Sequence, residues 1–332
     1  MKQTRVFLLA SDSCLLSKMK IVFAGSPRFA IPTLVELVAA GHEIQAVFTQ
    51  PDRPVGRKQI AQAPPVKETA QKLLLTVHQP EKIKSDEAKE LLTRLAPDAM
   101  VVVGYGQILP PWLLKLPRYG CINLHASLLP AYRGAAPIQW AVANGEVKTG
   151  VTTMLIDEGL DTGPVLMRWE TEIGPEETAI ELGERLSVIG ADLIIETLKG
   201  LEEGTLVARP QDNSRASRAP LLKKEHGRVD WSLSAQEVCN RVRGFLPWPG
   251  AYSGFRGQKL QIWRAKPRPE EGSPAGGPGE LLTEKDELLV VCGGGTMLEL
   301  IEVQLEGKRR MEARDFIHGA RPREREKLEL QF

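Results

Sequence analysis

Asn123 and His125 stand two positions apart in the stretch INLHASLLPAYRG, residues 122–134. In an extended chain, residues i and i+2 point to the same side, so both polar groups face one way while Ile122 and Leu124 face the other. Further along, IDEGLDTG (residues 156–163) carries Asp157 and Asp161 around Gly159, with Gly163 following. An imidazole with a carboxylate partner is an oriented acid or base. A neighbouring amide can donate to a developing oxyanion. A lone histidine is more often structural, but here it comes with an amide, a carboxylate loop and a Gly/Pro-fixed loop, which favours chemistry.

Such groups need a scaffold. From Met19 the chain alternates strand-like and helix-like runs. KIVFAG ends in Gly25 and is followed by the helical PRFAIPTLVELVAAG, with Pro27 near its start and Gly41 past its end. EIQAVFTQ, AMVVVGYG, CINLH and GVTTMLI read as further strands, and the almost wholly apolar AMVVVGYG fits a central strand buried on both faces. PEETAIELGERLSVIGADLIIETLKG is the clearest helix: Leu182, Leu186, Ile189 and Leu193 share a face, Pro175 opens it and Gly200 closes it. Alternating elements of this kind predict an α/β fold, a Rossmann-like, doubly wound and mostly parallel sheet. In such a sheet ligands bind at the carboxyl ends of the strands, where Asn123 and His125 fall.

The predicted catalytic domain spans 19–206 and a linker, including PQDNSRASRAP, spans 207–225. Residues 226–332 read as a small β-rich domain: RVDW, AYSGF, QKLQIWRA, GELLT, ELLVVC and MLELIEVQLE are strand-like, and SAQEVCNRVRGF and EARDFIHG are helical. Residues 1–18 are expected to be an extension outside the fold, with Met19 the natural start. Their apolar run VFLLA is shorter than the ~7–15 residues of a signal peptide.

Composition narrows the classes. Hydrophobic residues make up 42% and charged residues 26%, as in ordinary soluble domains. No apolar run approaches the ~20 residues of a membrane span. Cys14, Cys121, Cys239 and Cys292 lie far apart without a CxxC pair, so neither a metal site nor a disulfide framework is indicated, and a cytoplasmic setting fits. Net charge is +1, made of −3 over residues 1–205 and +4 over residues 206–332. A mildly basic second half points weakly to an acidic partner such as RNA.

Two other loops compete. Gly25-Ser26-Pro27 puts proline where a dinucleotide fold needs its second glycine, which disfavours NAD or FAD. TQPDRPVGRK (residues 49–58) reads either as an ordinary surface loop or as a mobile loop reaching a polyanion through Arg53, Arg57 and Lys58.

From Met19 onward the chain resembles the methionyl-tRNA formyltransferase family. INLHASLLPAYRGAAPIQWA, FTQPDRPVGR, VVVGYGQILP, GVTTMLIDEGLDTG, VDWSLSA and PWP carry the resemblance. The Asn-x-His, SLLP and Asp arrangement is shared by the wider set of enzymes using 10-formyltetrahydrofolate, whereas VDWSLSA, PWP and the VFTQPDRP loop point more narrowly to the tRNA enzyme. The resemblance implies transfer of a formyl group from 10-formyltetrahydrofolate to the α-amine of initiator methionyl-tRNA, with no metal and no membrane, by a monomer. It implies Asn123, His125 and Asp161 as the catalytic trio. It implies a folate site at Ser127, Leu128, Leu129 and Pro130, with Tyr105, Gly106, Ile108 and Leu109 walling the pterin pocket and Asp157 beside it. It implies an OB-like C-terminal barrel that contacts tRNA, with Lys223, Lys224, Arg241 and Arg243 as candidates. Arg57 aligns with the family's loop arginine near the acceptor stem. Where the family often has further lysines, this chain reads KQIAQA, a departure that bears on how strongly the loop grips RNA. Rival readings are a formyltransferase acting on an amino sugar or a glycinamide nucleotide, a formyltetrahydrofolate hydrolase, and a non-catalytic RNA-binding protein.

Overall fold

The computed structural model describes residues 18–55, 60–269 and 276–329. The expected extension, apart from Lys18, and the candidates Arg57 and Lys58 lie outside the described residues.

The first half alternates strands and helices. The order is β1 (Lys20–Gly25), α1 (Ile31–Ala39), β2 (Glu43–Phe48), a short hairpin β3 (Arg53–Val55) and β4 (Ile60–Gln62), then α2 (Pro65–Lys72) and β5 (Val77–His78). There follow α3 (Asp86–Leu95), β6 (Ala99–Val103), α4 (Pro111–Leu114), β7 (Cys121–His125), α5 (Pro137–Ala143), β8 (Lys148–Leu155), β9 (Val165–Glu172) and α6 (Ala179–Glu202). Seven strands form one sheet in the order β5-β2-β1-β6-β7-β8-β9. Pairing is parallel as far as β7, and β8 and β9 add antiparallel. The chain winds outward from β1 to β5 and then returns to the other side of β1 as β6. That reversal is where open α/β sheets place ligands.

Each face of the sheet has its own core. Ile122 and Leu124 of β7 pack with Leu34, Leu37, Leu182, Leu186 and Ile194 on one side. Cys121 packs on the other with Met100, Val102, Leu92 and Leu113. The face shared by Cys121, Asn123 and His125 is therefore opposite α6, as the period-2 reading predicts. Helix α6 starts later than Pro175, because Thr178 and Glu181 form a reciprocal cap, and it runs past Gly200 to Glu202.

The second half contains α7 (Ala235–Gly244), β10 (Ala251–Phe255), β11 (Gln258–Pro267), β12 (Leu281–Glu284), β13 (Glu287–Val291), β14 (Met297–Leu305), β15 (Met311–Glu312) and α8 (Ala313–Ala320). Its antiparallel sheet has the order β10-β11-β14-β13-β12, with β15 on β14. The tail closes it. Glu329 exchanges backbone hydrogen bonds with Gly254 at 2.9 Å, while Leu328 N–H donates to Gly279 at 2.8 Å and Leu281 N–H to Glu326 at 2.9 Å. Both sheet edges are thereby paired, which gives the OB-like barrel. RVDW is a single bridge, Arg228 beside Tyr252, that runs into a turn instead of a full strand: Val229 N–H donates to Tyr252 O at 2.9 Å, and Asp230 Oδ1 accepts from the backbone and hydroxyl of Ser232 at 3.0 and 2.6 Å. Trp231 is buried beneath it and donates to Ser253 Oγ at 3.1 Å.

Cys121, Cys239 and Cys292 are buried free thiols. Burial pushes Cys121 and Cys292 up to about 12, so both stay protonated and unreactive. Among the described residues no helix is long and apolar enough to cross a membrane.

Candidate active site

His125 closes β7 and is 6% exposed. Its Nε2 lies 2.9 Å from the carbonyl of Tyr132. A carbonyl can only accept, so Nε2 carries the proton and the neutral ring presents a lone pair on Nδ1. Nδ1 faces Asp161 Oδ1 at 3.9 Å. That is too long for a hydrogen bond but within ion-pair range once the ring is protonated. The other oxygen, Oδ2, accepts from the backbone N–H of Gly134 at 2.8 Å. The carboxylate thus faces the imidazole with one oxygen and holds the loop after β7 with the other. Two positions back, Asn123 is half-buried on the same side of the strand. Among the described residues its side-chain amide has no hydrogen-bond partner, so both donor and acceptor are available.

Two loops hold these groups. After β7 the chain is tied to β8 through Thr152, whose hydroxyl donates to Ser127 O at 2.6 Å and accepts from Leu129 N at 3.2 Å. Ser127 Oγ donates to Ala131 O at 2.6 Å. Tyr132, at φ +59°, donates its hydroxyl to Glu146 at 2.6 Å. Burial and the Glu146 carboxylate push that phenol up to about 12. Gly134 has φ +126°, and a Cβ there would lie 2.5 Å from the Ala219 carbonyl, so only glycine fits. In the second loop Asp157 Oδ1 accepts from Gly159 N at 3.0 Å and Thr162 Oγ1 at 2.7 Å. A Cβ on Gly163 would meet Leu155 O at 1.8 Å, so the loop returns directly against β8.

A free amide, an imidazole of fixed tautomer and a carboxylate beside it can stabilise an oxyanion and move a proton without a side-chain nucleophile. Residues 19–198 match the family model described as "Formyl transferase", and residues 221–321 match "Formyl transferase, C-terminal domain". The methionyl-tRNA formyltransferase of Solibacter usitatus is 56% identical over 310 residues, covering 93% of this chain and 98% of that one. The chain belongs to the methionyl-tRNA formyltransferase family. The enzyme of that name from Koribacter versatilis is 53% identical, again covering 93% and 98%. In fold the chain is similar to WlaRD, described as a sugar 3N-formyl transferase solved in the presence of dTDP and 5-N-formyl-THF. The TM-score is 0.64 at 16% identity, covering 88% of this chain and 99% of that one. An N-formyltransferase from Helicobacter canadensis aligns with a TM-score of 0.62 at 17% identity, covering 85% and 98%.

The other candidate residues of this formyltransferase-family chain fall less evenly. Tyr105 is fully buried, and its side chain belongs to the core on the face of Cys121. Its carbonyl faces the sheet's reversal point and accepts from Gln50 Nε2 at 2.9 Å. Gly106 follows at φ +83°. Leu109 is buried in the same core and Ile108 is 90% exposed, so the two do not form one apolar wall. A turn that tucks one residue under the sheet turns its neighbour outward. Leu129 packs on Met154 and Val165, while Leu128 and Pro130 are half-buried beside it. Ser127 and Asp157 both spend hydrogen bonds on their own loops.

Among the cations, Arg53 is exposed and paired with Glu81 at 2.8 Å. Lys223 and Lys224 are exposed, and Lys223 Nζ lies 3.8 Å from Glu225. Arg241 is half-buried, with Nε shielded and unpaired among the described residues. Arg243 is not a phosphate contact. It is 9% exposed and donates to Gly174 O at 3.2 Å and Glu177 O at 2.8 Å, joining α7 to the loop before α6. Asn240 Oδ1 accepts from the same guanidinium at 3.0 and 3.1 Å. Arg243→Ala strands those buried acceptors and is expected to lower stability by about 2–4 kcal/mol. Urea unfolding of the full chain reads it. Tyr132, Gly134, Thr152 and Gln211, all bonded into the site, were not among the residues picked out by type and spacing.

Proposed function

We propose that Asn123, His125 and Asp161 catalyse transfer of the formyl group of 10-formyltetrahydrofolate to the α-amino group of initiator methionyl-tRNA. The observation that carries this reading is the orientation of His125. Nε2 is committed to the Tyr132 carbonyl, and Nδ1 is left as a base facing the Asp161 carboxylate. The methionyl amine attacks the formyl carbon, forming a C–N bond and a tetrahedral oxyanion. Asn123 donates to that oxygen. His125 takes the proton released by the nitrogen, and Asp161 stabilises the resulting imidazolium. The C–N10 bond then breaks, and the proton passes to N10. The half-buried SLLP turn and the turn from Tyr105 to Pro110 flank this end of the sheet and offer backbone groups to the pterin edge.

Turnover with Met-tRNA, and its absence with free methionine or uncharged tRNA, tests the reading. Formate release without acceptor would assign the chain to hydrolysis instead. Exposed Lys223 and Lys224 serve as phosphate contacts. Their double alanine variant is expected to reduce the slope of log K against log salt for tRNA by about 1–2. An unchanged slope in filter binding from low to moderate salt would remove them from the interface.

A further inference from the structure

The residues between the two domains do more than connect them. Arg209 exchanges backbone hydrogen bonds with Val165 at 2.8 Å in both directions. Ser217 O accepts from Arg133 N at 2.9 Å, and Ala219 N–H donates to Arg133 O at 2.7 Å. Ser217 Oγ accepts from Tyr132 N at 2.9 Å. This segment is laced to both site loops, and between the two lacings lies Gln211. Its Nε2 donates to the carbonyls of Asp161 at 2.9 Å and Gly163 at 2.7 Å. Its Oε1 accepts from Arg133 Nη2 at 2.8 Å and Nε at 3.2 Å.

We propose that Gln211 is a positioning residue that clamps the Asp161 loop to the loop carrying the Tyr132 carbonyl, so that the His125–Asp161 geometry depends on the seating of the inter-domain segment. The proposal rests on the reading of His125 and Asp161 given above. Asp161 sits at φ +53°, a left-handed conformation that costs a non-glycine residue roughly 1–2 kcal/mol. It stays there only if its surroundings fix it. Its carbonyl is held by Gln211 and its carboxylate by Gly134 N–H. Arg133 stands between Tyr132, which orients the imidazole, and Gly134, which holds the carboxylate. A clamp on Arg133 and Asp161 therefore controls both partners of His125.

The chemistry of the clamp selects an amide. It must donate twice to carbonyls and accept from a guanidinium, and only a primary amide of this length does both. Glutamate would satisfy Arg133 but face two carbonyls with acceptors. Methionine would keep the volume and offer neither.

The test uses full-length Gln211→Glu and Gln211→Met, with formyl-transfer kinetics against both substrates, thermal unfolding, and ¹⁵N NMR of His125 in the free enzyme. The expected result for both variants is a fall in kcat of about 10–100-fold, from loss of alignment, with both KM values nearly unchanged. The His125 ¹⁵N shifts should move from a single Nε2–H tautomer toward an average, and the fall in kcat should persist at temperatures well below the unfolding transition of each variant. The double variant Gln211→Met/Arg133→Met should lose less than the two single losses combined, because they share the Gln211–Arg133 contact. Gln211 alone holds the Asp161 and Gly163 carbonyls, and Arg133 alone donates to Asn213 Oδ1 at 2.8 Å. Wild-type kcat and wild-type ¹⁵N shifts would overturn the proposal. So would a loss that only tracks unfolding. His125→Ala separates the two levels: if it keeps full activity, the reading of the site fails, whereas full activity in the Gln211 variants alone removes only the clamp.

Discussion

His125→Ala is expected to lower kcat for formyl transfer by about 10³-fold, within the range for removal of a positioned acid/base. KM for Met-tRNA should change little, because a 6% exposed ring at the end of β7 contributes little surface to a macromolecular substrate. The cause is specific to one nitrogen. Nε2 is engaged by Tyr132 O at 2.9 Å, so in the proposed mechanism the proton handled during transfer belongs to Nδ1. A glutamine there could still bond Tyr132 but could not cycle a proton, so His125→Gln should be nearly as inactive as alanine. Steady-state kinetics at saturating folate reads both. A glutamine variant with near wild-type kcat would reduce the imidazole to a hydrogen-bond donor.

Asp161→Asn is expected to cost about 10²–10⁴-fold in kcat with the fold intact. The carboxylate has two separate tasks. Oδ2 accepts from Gly134 N–H at 2.8 Å, and an asparagine oxygen can take over that bond. Oδ1 faces His125 Nδ1 at 3.9 Å, where the –NH₂ of asparagine would offer a donor and no charge. The imidazolium formed in transfer would then lose its counter-charge in a largely buried site. Asp161→Ala should lose the loop anchor as well, and so fall further and unfold at lower urea. Equal losses in both variants, with equal stabilities, would mean that the Oδ2 anchor contributes nothing and Oδ1 alone carries the effect.

Asn123 and His125 could be read from sequence because their arrangement is local. Period-2 alternation in CINLH fixes which side chains share a face, and strand pairing preserves it. The apolar β6 was legible for the same reason: burial on both faces leaves an unbroken run. Edge strand β9, VLMRWETE, was not legible, because one half is buried and the other exposed. The groups that orient the trio were also hidden. The Tyr132 carbonyl is backbone and leaves no trace in residue type. Gln211 sits in a polar stretch indistinguishable from an ordinary linker until its two carbonyl acceptors, about fifty positions away, are brought beside it. Arg243 shows the opposite failure. A basic residue in the last turn of a helix has the same sequence signal whether it meets phosphate or the carbonyls of a neighbouring domain, and here distant residues 174 and 177 decide.

The central claim is direct transfer from folate to the aminoacyl amine under control of His125. A single-turnover experiment with 10-formyltetrahydrofolate labelled in the formyl carbon tests it most directly. Enzyme and labelled folate are mixed with and without Met-tRNA, and the label is followed in RNA, protein and free formate. The expected result is label passing to Met-tRNA in one phase, with none on protein at any time and no formate when tRNA is withheld. Label on protein before its appearance on RNA, or formate released without acceptor, would contradict direct transfer.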